Sequence, residues 1–337
     1  MNEAAIDQYS RPLKDLRISV TDRCNFRCRY CMPAEIYGPD FPFLKHSEIL
    51  TFEEIERIVN ASAQLGVEKV KITGGEPLLR KQLPELIHKL FNIEGIRDIG
   101  LTTNGMLLPN LAAKLKSAGL KRINVSLDAI DEELFAKMNG VGISPENVKK
   151  GIRAAQQAGL QVKVNMVVQK GINESEIVPM ADYCRDNNLT LRFIEFMDVG
   201  TSNGWNWDQI VTKKEIMAKL IEHFEFNPLD ANYYGEVAKR YQYDDQTTEI
   251  GFITSVSESF CSTCTRGRLS ADGKIYTCLF AENGHDIKSF LRSGSTDAQL
   301  REFIAGIWEK RNDRYSDERT EETVKNKKKI EMSYIGG

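Results

Sequence analysis

Thirteen residues near the start, "TDRCNFRCRYCMP" (21–33), place Cys24, Cys28 and Cys31 in a C-x3-C-x2-C array. A closed structural zinc site takes four ligands, and a disulfide uses two thiols. Three thiolates around a cubane iron–sulfur cluster would leave one iron with no protein ligand, and an open coordination position is where chemistry is done. A second triplet, Cys261, Cys264 and Cys278, is spaced C-x2-C-x13-C and also stops at three. The residues leave other readings open: a zinc knuckle or reactive thiols for the first triplet, a zinc site completed by His285 for the second. The seventh cysteine, Cys184 in "MADYCRDNN", stands alone and reads as a packed thiol.

The bulk of the chain sets limits on that chemistry. Its 337 residues suffice for one large domain or two smaller ones, and 41% hydrophobic with 28% charged residues is ordinary for a globular protein. Lys and Arg number 45 against 48 Asp and Glu, a net charge of −3, so no global field favours nucleic acid or a membrane surface. No apolar run has the length of a membrane span. The opening "MNEAAIDQYSRPLKDL" has no apolar core typical of a secretion signal. A cytoplasmic location is expected, where cysteines serve as metal ligands or free thiols rather than disulfides.

Six β-like runs must position the cysteines: 15–21, 67–73, 97–103, 121–127, 160–168 and 189–197. Helix-like stretches lie between them, at 51–66, 82–92, 109–119 and 144–159. Strand-then-helix repetition implies a parallel sheet. Within the runs, apolar residues alternate with polar ones: Ile18 against Arg17, Val70 and Ile72 against Lys69 and Lys71, Val162 and Val164 against Lys163. A doubly wound sheet would be apolar on both faces. One polar face implies an incomplete (βα)6 TIM-like barrel with a wet lumen. Lysines and arginines turned into it call for an anionic ligand with several charges. Past residue 231 the rhythm stops, and a hairpin turning at "SADGK" (270–274) carries the second triplet. The expected division is a barrel over 1–230, an auxiliary region over 231–325 and a tail over 326–337. The charged run 309–329 reads as a solvated surface segment.

Several motifs carry a resemblance. The first triplet with Tyr30 before its last cysteine, together with "TGGEP" (73–77), resembles the radical S-adenosylmethionine (SAM) superfamily. "LTTNG" (101–105), "NVSLDA" (124–129), "RFIEFMDVG" (192–200), the second triplet and the terminal Gly336–Gly337 narrow it to the GTP 3′,8-cyclase family of molybdenum-cofactor biosynthesis. The resemblance implies two 4Fe–4S clusters, one on Cys24, Cys28 and Cys31, the other on Cys261, Cys264 and Cys278. It implies that Tyr30, Gly75, Ser126 and Met197 line a SAM pocket. Arg17, Lys69, Lys71, Thr102, Lys163, Arg192, Arg266 and Arg268 would receive GTP, most of them on its triphosphate. No side-chain acid or base is implied, because a SAM-derived 5′-deoxyadenosyl radical does that work.

The implied product is (8S)-3′,8-cyclo-7,8-dihydroguanosine 5′-triphosphate. The implied partners are an external electron donor, a downstream cyclic pyranopterin monophosphate synthase and a second copy in a homodimer, with no nucleic acid or membrane. Gly336 and Gly337 would reach the active site. One position departs from the family: Lys71 stands where Arg usually precedes "TGGEP", which keeps the charge and gives up the planar fork. Two rival readings remain, a peptide-modifying radical SAM enzyme with an auxiliary cluster and an iron–sulfur electron carrier.

Overall fold

The computed structural model describes residues 4–246 and 248–336. The strands are β1 (Asp15–Ser19), β2 (Lys69–Thr73), β3 (Asp98–Thr103), β4 (Arg122–Ser126), β5 (Gln161–Val168), β6 (Thr190–Glu195), β7 (Phe226–Leu229), β8 (Ala238–Tyr243), β9 (Glu249–Ile253), β10 (Arg266–Leu269), β11 (Lys274–Tyr276) and β12 (His285–Asp286). They form one sheet in the order β12-β11-β10-β1-β2-β3-β4-β5-β6-β9-β8-β7. Neighbours from β10 through β9 run parallel, and the outer hairpins are antiparallel. The sheet is curled and open, a partial barrel as expected.

One parallel member, β9, escaped the sequence reading, and the hairpin expected around 270–274 is present as β10 and β11 but also joins the barrel through β10. β9 extends the sheet beyond β6, and β10 extends it beyond β1, so both edges of the six-strand core are completed from beyond residue 230. The sequence of β9, "EIGFI", is short and broken by glycine, which hides the strand pattern.

Alternation works as the residues suggest. Ile18, Val70, Ile72, Ile123, Val125, Val164, Met166 and Leu191 have no exposed surface and face the surrounding helices. Each contributes roughly 1.5–3 kcal/mol by burial. The helix Phe52–Gln64 begins with a reciprocal cap: Thr51 Oγ1 accepts from the Glu54 amide at 3.2 Å, and Glu54 accepts from the Thr51 amide at 2.8 Å.

The charged run after 309 corrects the expectation of a solvated segment. It forms a strap across the barrel's open side, and several of its charges are buried. Asp198, just past β6, accepts from the hydroxyl of Tyr315, from Arg319 at 3.0 Å and from Lys329 at 2.5 Å. Burial alone would raise this carboxyl, but Arg319 and Lys329 hold it below its ordinary range. Glu331 then accepts from the Thr201 amide and the Ser202 hydroxyl. Composition could not reveal this, because the strap's partners lie more than a hundred residues away.

Asp198→Asn would leave two buried cations without their carboxylate, at roughly 3–5 kcal/mol. The expected outcome is faster tryptic cleavage in 319–329 than in the parent, with digestion elsewhere unchanged. An unaltered digest would remove the ion cluster as the strap's anchor.

Candidate active site

One cavity at the C-terminal ends of the strands takes in both thiol loops. Cys24, Cys28, Cys31, Tyr30, Gly75, Ser126 and Met197 line one part. Cys261, Cys264, Cys278, Arg17, Lys71, Thr102, Arg192, Arg266 and Arg268 line the rest. Two of the expected residues stand apart. Lys163 lines a more open depression at the other end of the strands, with Thr190, Arg240 and Glu249. Lys69, the first residue of β2, lies against the ring of Tyr233.

The first thiol loop is held by backbone. The amide of Gly75 donates to the Thr21 carbonyl, and that of Glu76 to the Arg23 carbonyl, both at 2.8 Å. A Cβ on Gly74 would come within 2.5 Å of the Thr21 oxygen, and one on Gly75 would overlap the Arg23 carbonyl. Both glycines are therefore required by the close passage of the two loops, before any ligand is considered. Glu76, buried, accepts from the amides of Leu78 and Asn104 and from the Thr103 hydroxyl. Burial outweighs those donors and raises its carboxyl to about 7. Tyr30 is fixed by donating to Asp128 at 2.7 Å, and Asp128 also accepts from the Val167 amide.

The second loop is held by buried arginines that the sequence did not flag. Arg11 donates to the carbonyl of Cys261 and Arg311 to that of Cys264, both at 2.8 Å, and Asp7 pairs with both guanidinium groups. Burial opposes ionisation of Cys264, but Arg266 and Arg311 bring its thiol down to about 6. Burial pushes Cys24 up to about 11, and Cys31 and Cys278 up to about 12. Such thiols ionise when a metal displaces their protons.

The donor sets favour a cluster over zinc. Among the described residues no three His, Cys, Asp or Glu side chains close on a single ion. His285 is exposed on β12 and does not line the cavity. All six thiols line the cavity, and a cubane cluster takes one protein ligand on each iron it is held by. Two sets of three thiols facing one cavity fit iron–sulfur clusters.

Between the loops lies a row of cations fixed by strand register. Arg268, Arg17 and Lys71 are direct neighbours on β10, β1 and β2, with backbones roughly 4.8 Å apart. Gly100 follows on β3 and Arg122 on β4. A Cβ at Gly100 would lie 3.2 Å from the Arg122 guanidinium carbon, so the glycine leaves room for that side chain. Arg122 is neutralised by Asp98 at 2.7 Å. Arg268, Arg17, Lys71 and Arg192 have no such carboxylate among the described residues. Burial, then Arg17 and Arg192, push the Lys71 ammonium well down. Burial, then Arg192 and Arg122, bring Lys163 down to about 8. Arg17 Nε, Thr102 Oγ1 and Asn165 Oδ1 are buried without a hydrogen-bond partner among the described residues. This is a site waiting for a polyanion with acceptors and donors of its own.

The tail arrives at the same place. The helix Met332–Ile335 delivers Gly336, whose carbonyl accepts from Arg268. Its φ of 72° and its contact with Thr73 leave no space for a side chain. Gly337 lies outside the described residues. The sequence reading missed Arg122, although alternation along β4, which turns it the same way as Asn124, could have found it. Nothing local marked Arg11, Arg311 or Tyr233.

A parallel partial barrel with three thiols in the loop after β1 and a glycine pair after β2 defines a radical SAM enzyme. Residues 18–184 match the radical SAM superfamily, and residues 189–317 match Molybdenum Cofactor Synthesis C. Streptococcus suis SuiB bound to S-adenosylmethionine shares the fold at a TM-score of 0.59 and 17% identity, over 89% of this chain and 66% of that one. SuiB bound to its precursor peptide SuiA gives a TM-score of 0.60 at 16% identity, again over 89% and 66%. Proteins from Staphylococcus aureus strains JH9 and Newman, each named GTP 3′,8-cyclase, are 55% identical over 340 residues, covering all of both chains. The chain belongs to the GTP 3′,8-cyclase family.

Gly75→Ala would force a methyl against the carbonyl of Arg23, next to Cys24. Reconstituted protein should bind less iron and sulfide per chain. Gly38→Ala, where the nearest atom is the Ala34 oxygen at 3.6 Å, should leave both unchanged.

Proposed function

We propose that the cations between the two thiol loops hold the triphosphate of GTP. The guanine would lie toward Cys261, Cys264 and Cys278, and the ribose toward the SAM end. The observation that carries this reading is the unneutralised row Arg268–Arg17–Lys71 with its unpartnered lumenal polar atoms. The chain is a radical SAM cyclase of molybdenum-cofactor biosynthesis, joining C3′ of GTP to C8 of its own guanine. Its cofactors are SAM and 4Fe–4S clusters. Cys24, Cys28 and Cys31 would hold one cluster and Cys261, Cys264 and Cys278 the other; the first, with SAM bound, would supply the carbon-radical chemistry.

The protein's part is placement. Tyr30, Gly75, Ser126 and Met197 would line the SAM position. Arg266 and Arg268 lie on β10 beside the second loop, while Arg17, Lys71, Thr102 and Arg192 would hold phosphate and ribose across the lumen. Lys69 and Lys163 would meet the outer phosphates from the strands' N-terminal end. Fixing a substrate through three phosphates brings one ribose carbon into a near-attack position. The strap and Gly336 cover the open side and exclude water.

Residues 1–230 would supply the barrel and SAM end, 231–325 the guanine end, and 326–337 the cover. An external one-electron donor, a homodimer and transfer of product to a cyclic pyranopterin monophosphate synthase complete the reading. No helix of the described residues is long and apolar enough to cross a membrane.

Anaerobic protein given reductant, SAM and GTP deuterated at C3′ should yield deuterated 5′-deoxyadenosine. Undeuterated product formed equally without GTP would exclude GTP as the hydrogen donor.

The depressed Lys71 and Lys163 give a pH test. Both are lowered in the free protein, so bound triphosphate raises them and binding takes up protons. GTP affinity should be highest below the lowered values and fall as pH rises through about 8. In Lys71→Arg the KM for GTP should drop and the pH dependence flatten; equal KM and equal slope would discard the account.

A further inference from the structure

The segment 230–237 joins β7 to β8, at one edge of the sheet, yet it reaches the first residue of β2, in the middle of the sheet. Tyr233 lays its ring over Lys69, with Nζ 2.9 Å from the ring centroid. The Lys69 ammonium makes no hydrogen bond or ion pair among the described residues, so this ring is its close partner.

The loop is built to hold that pose. The Asn232 amide donates to the Glu236 carboxylate at 2.7 Å, and the Glu236 amide donates to the Tyr233 carbonyl at 3.2 Å. Gly235 has a φ of 83°, and a Cβ there would come within 2.7 Å of the Thr263 oxygen. Thr263 lies between Cys261 and Cys264, so the loop is braced on the second thiol loop at one end and on Lys69 at the other.

Tyr233 is 43% exposed, so one side of it faces solvent. Burial raises the Tyr233 phenol above its ordinary value, so the hydroxyl keeps its proton, and it lies within electrostatic reach of Arg17, Arg122 and Arg192. A hydroxyl at the solvent limit of a cation cluster is suited to donate to the last phosphate of an anion filling that cluster. Positive charge alone grades anions by total charge; a donor at a fixed depth grades them by length.

We propose that Tyr233 closes the N-terminal end of the site and selects the triphosphate, donating its hydroxyl to the outermost phosphate while its ring holds Lys69 in place. This rests on the reading that the lumenal cations hold the phosphates of GTP. The 230–237 loop is then a length gauge spanning the gap in the barrel.

Tyr233→Phe keeps the ring on Lys69 and removes only the donor. Binding of GTP and of GDP to the cluster-loaded variant, measured anaerobically by equilibrium dialysis, should separate the two. Affinity for GTP should fall about tenfold, the loss of one hydrogen bond to a charged group, and affinity for GDP should hold, so that the preference collapses. An unchanged GTP-to-GDP ratio overturns the proposal, whether both affinities fall together or neither moves. Tyr233→Ala should reduce GTP affinity further by releasing Lys69, and parental GTP affinity in that variant would also overturn it. Parent protein that binds GTP no better than guanosine would overturn the triphosphate reading itself, and that result is distinguishable because it needs no variant.

Discussion

Everything in the cavity is arranged around like charges that strand register forces together. Arg268, Arg17 and Lys71 occupy one row across three hydrogen-bonded strands. The carboxylates nearest them, Asp15 and Asp98, belong to the row below, beside Arg266 and Lys69. A protein can keep such a row only by drawing on stability from elsewhere, here the fully buried aliphatic face of the same strands. The repulsion is released when an anion enters, so part of the binding energy for a polyanion is already stored in the fold.

The two thiol loops are supported by different means that serve the same end. The first is pressed between backbones, with glycine the residue that fits at 74 and 75. The second hangs from two arginines on the carbonyls of Cys261 and Cys264, tied through Asp7 to the chain's beginning and through Arg311 to the strap. Asp198 anchors the strap just beyond Met197, so the cavity wall at Met197 and the cover that carries Gly336 share one support. Disturbing either support reaches both loops through the shared cavity wall.

Much of this could be read along the chain. Alternation in β1, β2 and β5 separated Ile18 from Arg17, Ile72 from Lys71 and Val164 from Lys163, and the structure keeps every one of those assignments. Six strands fell within a residue or two of the expected runs at their starts. What stayed hidden was long-range. β9 looks like loop sequence because Gly251 interrupts it, and the hairpin arm β10 carries no local sign that it pairs with β1. The run after 309 looks solvated because acids and bases alternate there, while the partner that buries Arg319 and Lys329 is Asp198. Arg11 is unremarkable until Cys261, 250 positions away, is placed beside it. Local pattern reports which face a residue takes; it carries no information on which distant segment meets that face.

The position of β10 has a consequence for how the chain comes to be folded. Leu16 lies opposite Gly267, so one side of the first strand stays unpaired until the chain has been made past β10. During synthesis the nascent barrel carries an open edge at β1 and another at β6, the kind of edge that invites pairing with another chain. Cys24, Cys28 and Cys31 lie just after that edge. Early metal loading would therefore meet a half-built sheet, and the sequence distance between β1 and β10 makes their pairing a late, slow step.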